Sequence, residues 1–351
     1  MRAQAPAQDC GLSDAGHARS ANNQGMHSRN EATPDMAWTS VTTAPSQLGE
    51  SPFWHPLEQR LYWVDIAGRA LLRRDPASGK VDRWAMPTEP GCMAPARRAG
   101  VPDGLVVALR SGIFRAREWG GALEQIAELP FDAATQRAND GKCDALGRFW
   151  VGTVHEPVSG PRQQVGALYC VDARSGTGPA TVQRVLDGVA TANGLAWSPE
   201  GGTLYWSDTP AHAVRAWDCN GQYEPVGEPR ALRTFARKPP DWKPGQPGYG
   251  GRPDGAAVDA EGAYWCAMYE GGRVLRLSPA GEVLAEWALP ALCPTMPCLG
   301  GEDGRTLYVT SAREGRSAHE LAEWPQSGSV FSMRVDVPGL PVAWFDDART
   351  A

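Results

Sequence analysis

Apolar residues in this chain occur in short runs of strand length, separated by turns that contain Gly or Pro. One phrase, a Gly-bearing turn followed by a short aromatic or aliphatic strand, recurs roughly every 45 to 60 residues. Six copies occupy residues 54–63, 97–109, 144–153, 198–208, 259–266 and 302–310. Another strand follows each copy and often opens with Gly, as at Gly112, Gly166, Gly272 and Gly328.

This repeat predicts an all-β fold, a six-bladed β-propeller with a metal site in its central channel. A sandwich would not need one motif at near-constant spacing, and a parallel α/β fold would need long amphipathic helices, which the pattern lacks. The 40 Gly and 30 Pro residues fit a chain of short antiparallel strands.

The chain divides into two parts by composition. Residues 1–36 are rich in Ala, Ser, Asn, Gln and Gly, so we expect a disordered N-terminal leader, and residues 37–351 form the propeller. Met26 or Met36 is an alternative start. Residues 37–43 read as a strand that could pair with residues 342–345 and close the ring.

Charge and cysteine content narrow the setting. The formal net charge of -6 argues against a nucleic-acid surface, and no apolar run reaches the length of a membrane span. The eight cysteines include no Cys-x-x-Cys pair, so we expect reduced thiols, no zinc knuckle and a cytoplasmic location. Nothing in the repeats indicates an obligate partner, and we expect a monomer.

The chemistry is concentrated in four short segments that we expect to precede strands. They are residues 48–54 with Glu50, residues 136–142 with Arg137, Asn139 and Asp140, residues 192–197 with Asn193, and residues 251–255 with Asp254. A closed ring would bring equivalent segments of different blades to one end of the channel. Two carboxylates and an amide carbonyl form an oxygen-rich set that suits calcium, magnesium, manganese or ferrous iron.

Structural roles compete with this interpretation. Asn-Gly and Asp-Gly pairs are common in turns, so Asn193 and Asp254 could each serve turn geometry alone, and Asp140 is expected mainly to hold its turn. Arg137 could be an ordinary surface arginine. The tryptophans of the repeated strands are expected to pack between blades: Trp63, Trp150, Trp206 and Trp265.

Several motifs in order resemble one known family. Gly-Glu-Ser-Pro-Phe-Trp, Arg-Ala-Asn-Asp-Gly-Lys, Asn-Gly-Leu-Ala-Trp-Ser, Arg-Pro-Asp-Gly and Leu-Gly-Gly-Glu-Asp-Gly-Arg-Thr-Leu-Tyr resemble landmarks of the senescence marker protein, gluconolactonase and regucalcin family, over about residues 48 to 340. The resemblance implies a six-bladed propeller with one divalent cation in the channel. It also implies hydrolysis of sugar-acid lactones.

The resemblance implies a role for each matching residue. Glu50, Asn193 and Asp254 would bind the metal, and Asp254 would also be the general base. Arg137 and Asn139 would bind the sugar lactone. Glu156 would join them in substrate binding, although its neighbour His155 competes for the inward position. Calcium is the expected ion, with zinc, magnesium, manganese and ferrous iron as alternatives.

Two interpretations therefore remain open at this level. The chain is a metal-dependent lactonase, or it is a non-catalytic propeller that binds calcium or a protein partner. The Pro- and Gly-rich residues 238–253 run into Asp254, and we expect them to cover part of the channel mouth. Residues 317–324 are expected to form a short helical or irregular surface insertion.

Overall fold

A computed structural model describes residues 38–176 and 178–349 of the chain, and these residues form six small sheets. The first strand of each sheet lies nearest the axis. These inner strands contact one another in a closed ring, from the first sheet along the chain to the sixth and back to the first. The six-bladed all-β propeller is confirmed. The predicted leader of residues 1–36 lies outside the described residues.

The first three blades follow directly along the chain. Blade 1 contains β2 to β5, at Gly49–His55, Arg60–Asp65, Ala70–Arg74 and Val81–Ala85. Blade 2 contains β6 to β9, at Pro90–Arg98, Val101–Leu109, Gly112–Ala116 and Glu124–Ala127. Blade 3 contains β10 to β13, at Gln136–Cys143, Phe149–His155, Gly166–Asp172 and Thr181–Val189.

The last three blades follow the same order. Blade 4 contains β14 to β17, at Ala192–Trp197, Thr203–Asp208, Ala213–Cys219 and Pro225–Thr234. Blade 5 contains β18 to β21, at Arg252–Val258, Tyr264–Tyr269, Arg273–Leu277 and Val283–Ala288. Blade 6 contains β22 to β24, at Pro294–Gly300, Thr306–Ser311 and Phe331–Arg334, with β1, Thr39–Ser40, as its outer strand.

The repeated aromatic pair in the second strand of a blade joins that blade to both of its neighbours. Consecutive side chains of a strand point to opposite faces of the sheet. Tyr62 accordingly packs in the core between blades 1 and 2, whereas Trp63 packs in the core between blades 1 and 6. Trp150, Trp206 and Trp265 are also buried between blades. The packing role predicted for these tryptophans is confirmed.

The ring closes differently from the sequence prediction. Thr39–Ser40 pairs with Ser332 and Phe331 of blade 6, so the predicted pairing with residues 342–345 is wrong. The last strand, β25 at Phe345–Asp346, instead runs parallel to Ala96–Arg97 of blade 2. The C-terminal residues 336–349 thus cross the propeller, with a further bridge from Asp347 to Ala173 of blade 3. The two ends of the described chain therefore pair with different blades. The hydrophobic pattern within a strand does not determine which blade each end joins.

Two further predictions concern residues 317–324 and the cysteines. Residues 317–324 contain a short helix, α1 at Ala318–Glu323, which Ser317 caps by accepting from Glu320 N. All seven cysteines among the described residues are free thiols, including Cys293 and Cys298. Within the same residues, no helix has the length and apolar character needed to cross a membrane.

Candidate active site

The predicted site residues lie inside the inner strands, at β-bulges. In blade 3 the register slips between Ala138 and Gly141, so Asn139 and Asp140 together face one residue of the next strand. The same slip follows Glu50 in blade 1 and Asn193 in blade 4, and it contains Asp254 in blade 5. The prediction that these segments precede strands is therefore wrong. Their Gly and Pro residues mark bulges rather than turns, because a bulge, like a turn, needs an irregular backbone. A bulge also changes the direction in which a side chain points.

Gly194 shows why the Asn-Gly pair is needed at a bulge. Its φ of 63° lies in the left-handed region that glycine adopts most readily. A Cβ at this position would lie 2.2 Å from the hydroxyl oxygen of Tyr264, which donates to Gly194 O at 2.8 Å. The glycine thus lets blades 4 and 5 approach closely next to Asn193.

Four predicted side chains form one hydrogen-bonded row across three blades. Arg137 Nη1 donates to Asn139 Oδ1 at 2.7 Å, and Asn139 Nδ2 donates to Asn193 Oδ1 at 2.8 Å. Asn193 Nδ2 in turn donates to Asp254 Oδ1 at 2.6 Å. All four residues are buried. The convergence expected from the blade positions is thus present in the structure.

Thr209 supports this row and was missed in the sequence. Its hydroxyl accepts from Asn193 Nδ2 at 2.7 Å and donates to the carbonyl of Pro253 at 2.7 Å. It therefore fixes the amide of Asn193 and the strand residue directly before Asp254. A threonine before a proline at the end of a strand carries no recognisable pattern, so only the fold reveals this contact.

Glu50 and Asp254 are buried acids, and no ion pair among the described residues includes either of them. Burial, with the negative charges of Asp254 and Asp140, raises the pKa of Glu50 well above its usual range. Burial also raises the pKa of Asp254 to about 8, although the charge of Arg252 opposes the shift. Desolvation is the largest physical cause in both cases, and nearby arginines only partly oppose it.

Asp140 and Lys142 place opposite charges next to these acids, with Asp140 buried and Lys142 partly buried. Asp140 Oδ2 accepts from Leu195 N at 2.8 Å, which ties blade 3 to blade 4. Burial raises the pKa of Asp140, whereas burial lowers the pKa of Lys142, and each charge opposes the shift of the other. Lys142 Nζ also donates to Ala256 O at 2.9 Å. Lys142 was not predicted as a site residue.

The donor set fits a divalent cation. Two buried carboxylates without ion-pair partners in the described part of the chain, Glu50 and Asp254, lie close together, and the amide of Asn193 contacts Asp254 through Nδ2 while its Oδ1 accepts from Asn139. Asp140 Oδ1 is a buried oxygen without a hydrogen-bond partner among the described residues. Hard cations prefer such oxygen ligands. The described residues contain no cluster of three His, Cys, Asp or Glu side chains suited to a metal. The candidate set has two acids and one amide.

Glu156 and His155 have different surroundings. Glu156 accepts from Arg137 Nε at 3.2 Å and from Arg110 Nη2 at 2.5 Å. Burial alone would raise the pKa of Glu156, but the positive charges of both arginines hold this pKa below its usual range. His155 Nδ1 accepts from the backbone N of Gln163 at 2.9 Å and so anchors the following loop. Of the two, Glu156 is the residue that joins the row, through Arg137.

The aromatic residues of the 238–253 segment pack against the protein. Trp242 and Tyr249 form an edge-on ring pair with centroids 5.0 Å apart, in a small core with Leu292 and Cys293. Lys238 Nζ donates to Glu270 Oε1 at 2.9 Å. The segment is therefore anchored beside the strand that carries Asp254, and its effect on substrate choice stays a prediction.

A cavity of about 450 Å³ lies behind the acids rather than at them. Lys142, Trp54 and Trp197 contribute to its wall, together with the crossing segment 340–344. Glu50, Asn193 and Asp254 do not line it. The row from Arg137 to Asp254, rather than this cavity, therefore defines the candidate site.

Comparison with known proteins gives a consistent family. Residues 48–313 match the family model described as SMP-30/Gluconolactonase/LRE-like region. The chain is 47% identical over 299 residues to 6-deoxy-6-sulfogluconolactonase of Pseudomonas putida, covering 85% of this chain and 95% of the relative. It is 35% identical over 309 residues to L-arabinolactonase of Azospirillum brasilense, covering 88% and 95%.

A solved structure agrees with the fold. The calcium-binding protein regucalcin of Agrobacterium tumefaciens superposes with a TM-score of 0.78 at 26% sequence identity, covering 88% of this chain and 97% of that one.

Proposed function

The chain belongs to the SMP-30/gluconolactonase/LRE-like family, and we propose that it is a metal-dependent hydrolase that opens sugar-acid lactones to aldonic acids. The observation that carries this proposal is the buried row from Arg137 to Asp254. It joins a buried acid that has no ion-pair partner among the described residues, next to a second such acid, Glu50, to donors suited to a substrate. The names of the relatives from Pseudomonas putida and Azospirillum brasilense support a lactone substrate.

Glu50, Asn193 and Asp254 would hold the cation. Their oxygen atoms suit calcium first, and magnesium, manganese, ferrous iron and zinc are alternatives. The calcium-binding regucalcin structure supports calcium. When bound, the ion polarises the lactone carbonyl and stabilises the negative charge that develops on its oxygen.

Arg137 and Asn139 would position the lactone. Arg137 Nε donates to Glu156, and Nη1 donates to Ala138 O and Asn139 Oδ1. These contacts fix the guanidinium plane and leave Nη2 to donate to a substrate oxygen. Glu156 acts as a positioning residue that keeps Arg137 in this orientation.

Asp254 would be the general base. Asn193 Nδ2 donates to its Oδ1, so the orientation of the carboxylate is fixed before substrate arrives. Asp254 takes a proton from water while the water oxygen bonds to the acyl carbon. The bond between the acyl carbon and the ring oxygen then breaks, and the ring oxygen receives a proton. The product is an open-chain aldonic acid.

The test is proton release from a panel of aldonolactones, followed with a pH indicator. The protein is first stripped with a chelator, and one divalent metal is added back at a time. We expect metal-dependent opening above the spontaneous rate, and we expect Asp254→Asn to lose at least about 100-fold of it. Glu228→Gln, at an exposed acid of β17, is the matched control.

Two results would contradict the proposal. Full activity of Asp254→Asn with metal present would exclude its role as base. Absence of turnover with every metal and lactone, together with calcium binding by calorimetry, would instead favour a non-catalytic calcium-binding or partner-binding propeller.

A further inference from the structure

Three arginines stand near the site, and only two of them have carboxylate partners. Arg137 pairs with Glu156 at 3.2 Å, and Arg252 pairs with Glu270 at 3.0 Å. The third, Arg162, donates through Nη1 to the hydroxyl of Thr191 at 3.0 Å. No ion pair within residues 38–176 and 178–349 includes Arg162. Glu156 acts on the pKa of Arg162 from a longer distance, but Arg162 has no carboxylate within ion-pair distance among the described residues.

The surroundings of Arg162 increase the local positive charge. Glu270 is shared by three cations, since Lys238 and Arg316 approach it at 2.9 and 3.2 Å in addition to Arg252. Arg316 also pairs with Glu320 at 3.2 Å, so these three cations share two carboxylates, although the whole chain has a net charge of -6. A local positive field in an acidic protein favours an anionic ligand over a neutral one.

Thr191 places Arg162 beside the catalytic row. Thr191 is two residues before Asn193, and its backbone N donates to Asp208 Oδ1 at 3.1 Å. Partial burial and the positive charge of Arg137 lower the pKa of Arg162, and the charge of Arg252 acts in the same direction. These three guanidinium groups therefore share one electrostatic environment, which an incoming anion would stabilise.

The loop that carries Arg162 is anchored on both sides of it. Gln163 N donates to His155 Nδ1 at 2.9 Å, and Glu156 N donates to Thr135 O at 2.7 Å. Arg162 itself is exposed, so a ligand can reach it. A guanidinium on an anchored loop costs less conformational entropy to bind than one on a free loop.

We propose that Arg162 binds an anionic substituent on the exocyclic carbon of the lactone, so that the preferred substrate is an acidic sugar lactone. This inference rests on the lactonase function proposed above and names its substrate class. Sulfonate, phosphate and carboxylate each present at least two negatively charged oxygen atoms, which the two parallel N–H donors of an arginine guanidinium can bind. The Pseudomonas putida relative named 6-deoxy-6-sulfogluconolactonase makes the sulfonate the first anion to test.

The experiment compares four lactones on the metal-loaded enzyme. These are gluconolactone and its derivatives with a sulfonate, a phosphate or a carboxylate at carbon 6. We expect a higher kcat/KM for at least one anionic lactone than for gluconolactone, and the order among the three identifies the anion. The preference should weaken as ionic strength rises, because the contact is exposed.

The variant Arg162→Gln keeps a polar side chain but removes the charge. We expect the ratio of kcat/KM for the preferred anionic lactone to kcat/KM for gluconolactone to fall about 10- to 100-fold, as for loss of a charge-assisted hydrogen bond. Arg162→Lys should retain part of the ratio. Arg184→Gln, at an exposed arginine of β13, is the matched control and should leave the ratio unchanged.

Failure of this inference can be separated from failure of the lactonase proposal. If lactones are opened but gluconolactone is preferred, or if Arg162→Gln leaves the ratio unchanged, the role of Arg162 is overturned and the lactonase stands. If no lactone is opened, calorimetry with the open-chain 6-sulfonate product decides. Binding that Arg162→Gln weakens supports the anion site, and equal binding by both proteins overturns it.

Discussion

The contact between Thr209 and Asn193 gives the sharpest test of how the fold prepares the proposed metal site. Thr209→Val replaces the hydroxyl by a methyl group of nearly the same size. It removes the acceptor for Asn193 Nδ2 and the donor to Pro253 O, both at 2.7 Å. Because Thr209 is only 8% exposed, water cannot fully replace either contact. The change therefore tests orientation rather than packing.

The structure sets two magnitudes for Thr209→Val. A buried donor left without a partner costs about 1–3 kcal/mol, so we expect the free energy of unfolding to fall by about 2 kcal/mol. Partners that orient a metal ligand typically contribute about 10- to 100-fold in metal affinity, and we expect a loss in that range. Thr209→Ser keeps the hydroxyl and should stay within about threefold of the parent affinity.

Metal affinity is measured by titrating calcium into the stripped protein against a competing chelating dye, with thermal unfolding followed in parallel. Asn193→Ala is the positive control, since it removes the proposed ligand itself. If Asn193→Ala loses binding while Thr209→Val binds as tightly as the parent, the hydroxyl does not orient Asn193. If neither variant changes affinity, the proposed ligand set is wrong.

Two further predictions concern stability. Gly194→Ala should lower the free energy of unfolding by about 1–3 kcal/mol more than Gly227→Ala. Both glycines have positive φ, but only at Gly194 would the added methyl group press against the Tyr264 hydroxyl. Equal losses of stability, measured by chemical denaturation, would contradict this prediction. Asp347→Ala should cost about 1–3 kcal/mol, because the buried Arg115 loses one of its two carboxylate partners and keeps only Asp103, also at 3.1 Å, and no measurable change in the same assay would show that the C-terminal crossing segment is not held by this pair.

The fold could be predicted because each blade repeats the same local pattern. A Tyr-Trp pair must bury both of its side chains, and a strand points them to opposite faces, so stacking between two neighbours is the arrangement that satisfies both. Closure of the ring could not be predicted in the same way. Residues 39–40 and 345–346 are both short and weakly patterned, and their partners are decided by which edge each end of the chain reaches.

The site was predictable only as far as its residues recur at equivalent positions. Glu50 and Asn193 directly precede the register breaks of their strands, Asp254 lies one residue further, inside its break, and the resemblance to a family gave each a role. Thr209 and Arg162 have no equivalent residues in the other blades. Thr209 follows the second strand of blade 4, and Arg162 lies in a loop. Their contributions depend on contacts between blades, which a local pattern does not record.

The inner strands also explain why a sixfold repeat yields an asymmetric site. Every inner strand has a register break near its start, so each blade places residues at or next to the break at the same end of the channel. In blade 6 the break contains Thr295, whose hydroxyl donates to Gly49 O at 2.5 Å and so joins blade 6 to blade 1. In blade 2 the break contains Gly91, where a Cβ would lie 2.5 Å from Ala138 O and 2.8 Å from Asn139 N.

A side chain at Gly91 in blade 2 would therefore displace Asn139. The row can form because blade 2 has no side chain at this place. These residues of the six blades thus divide into three that would hold the proposed ion, one that would position substrate, one that joins neighbouring blades and one that leaves space. A divalent ion requires only a few protein oxygens and room for substrate. A ring with a polar side chain at all six positions would fill the space that the lactone needs.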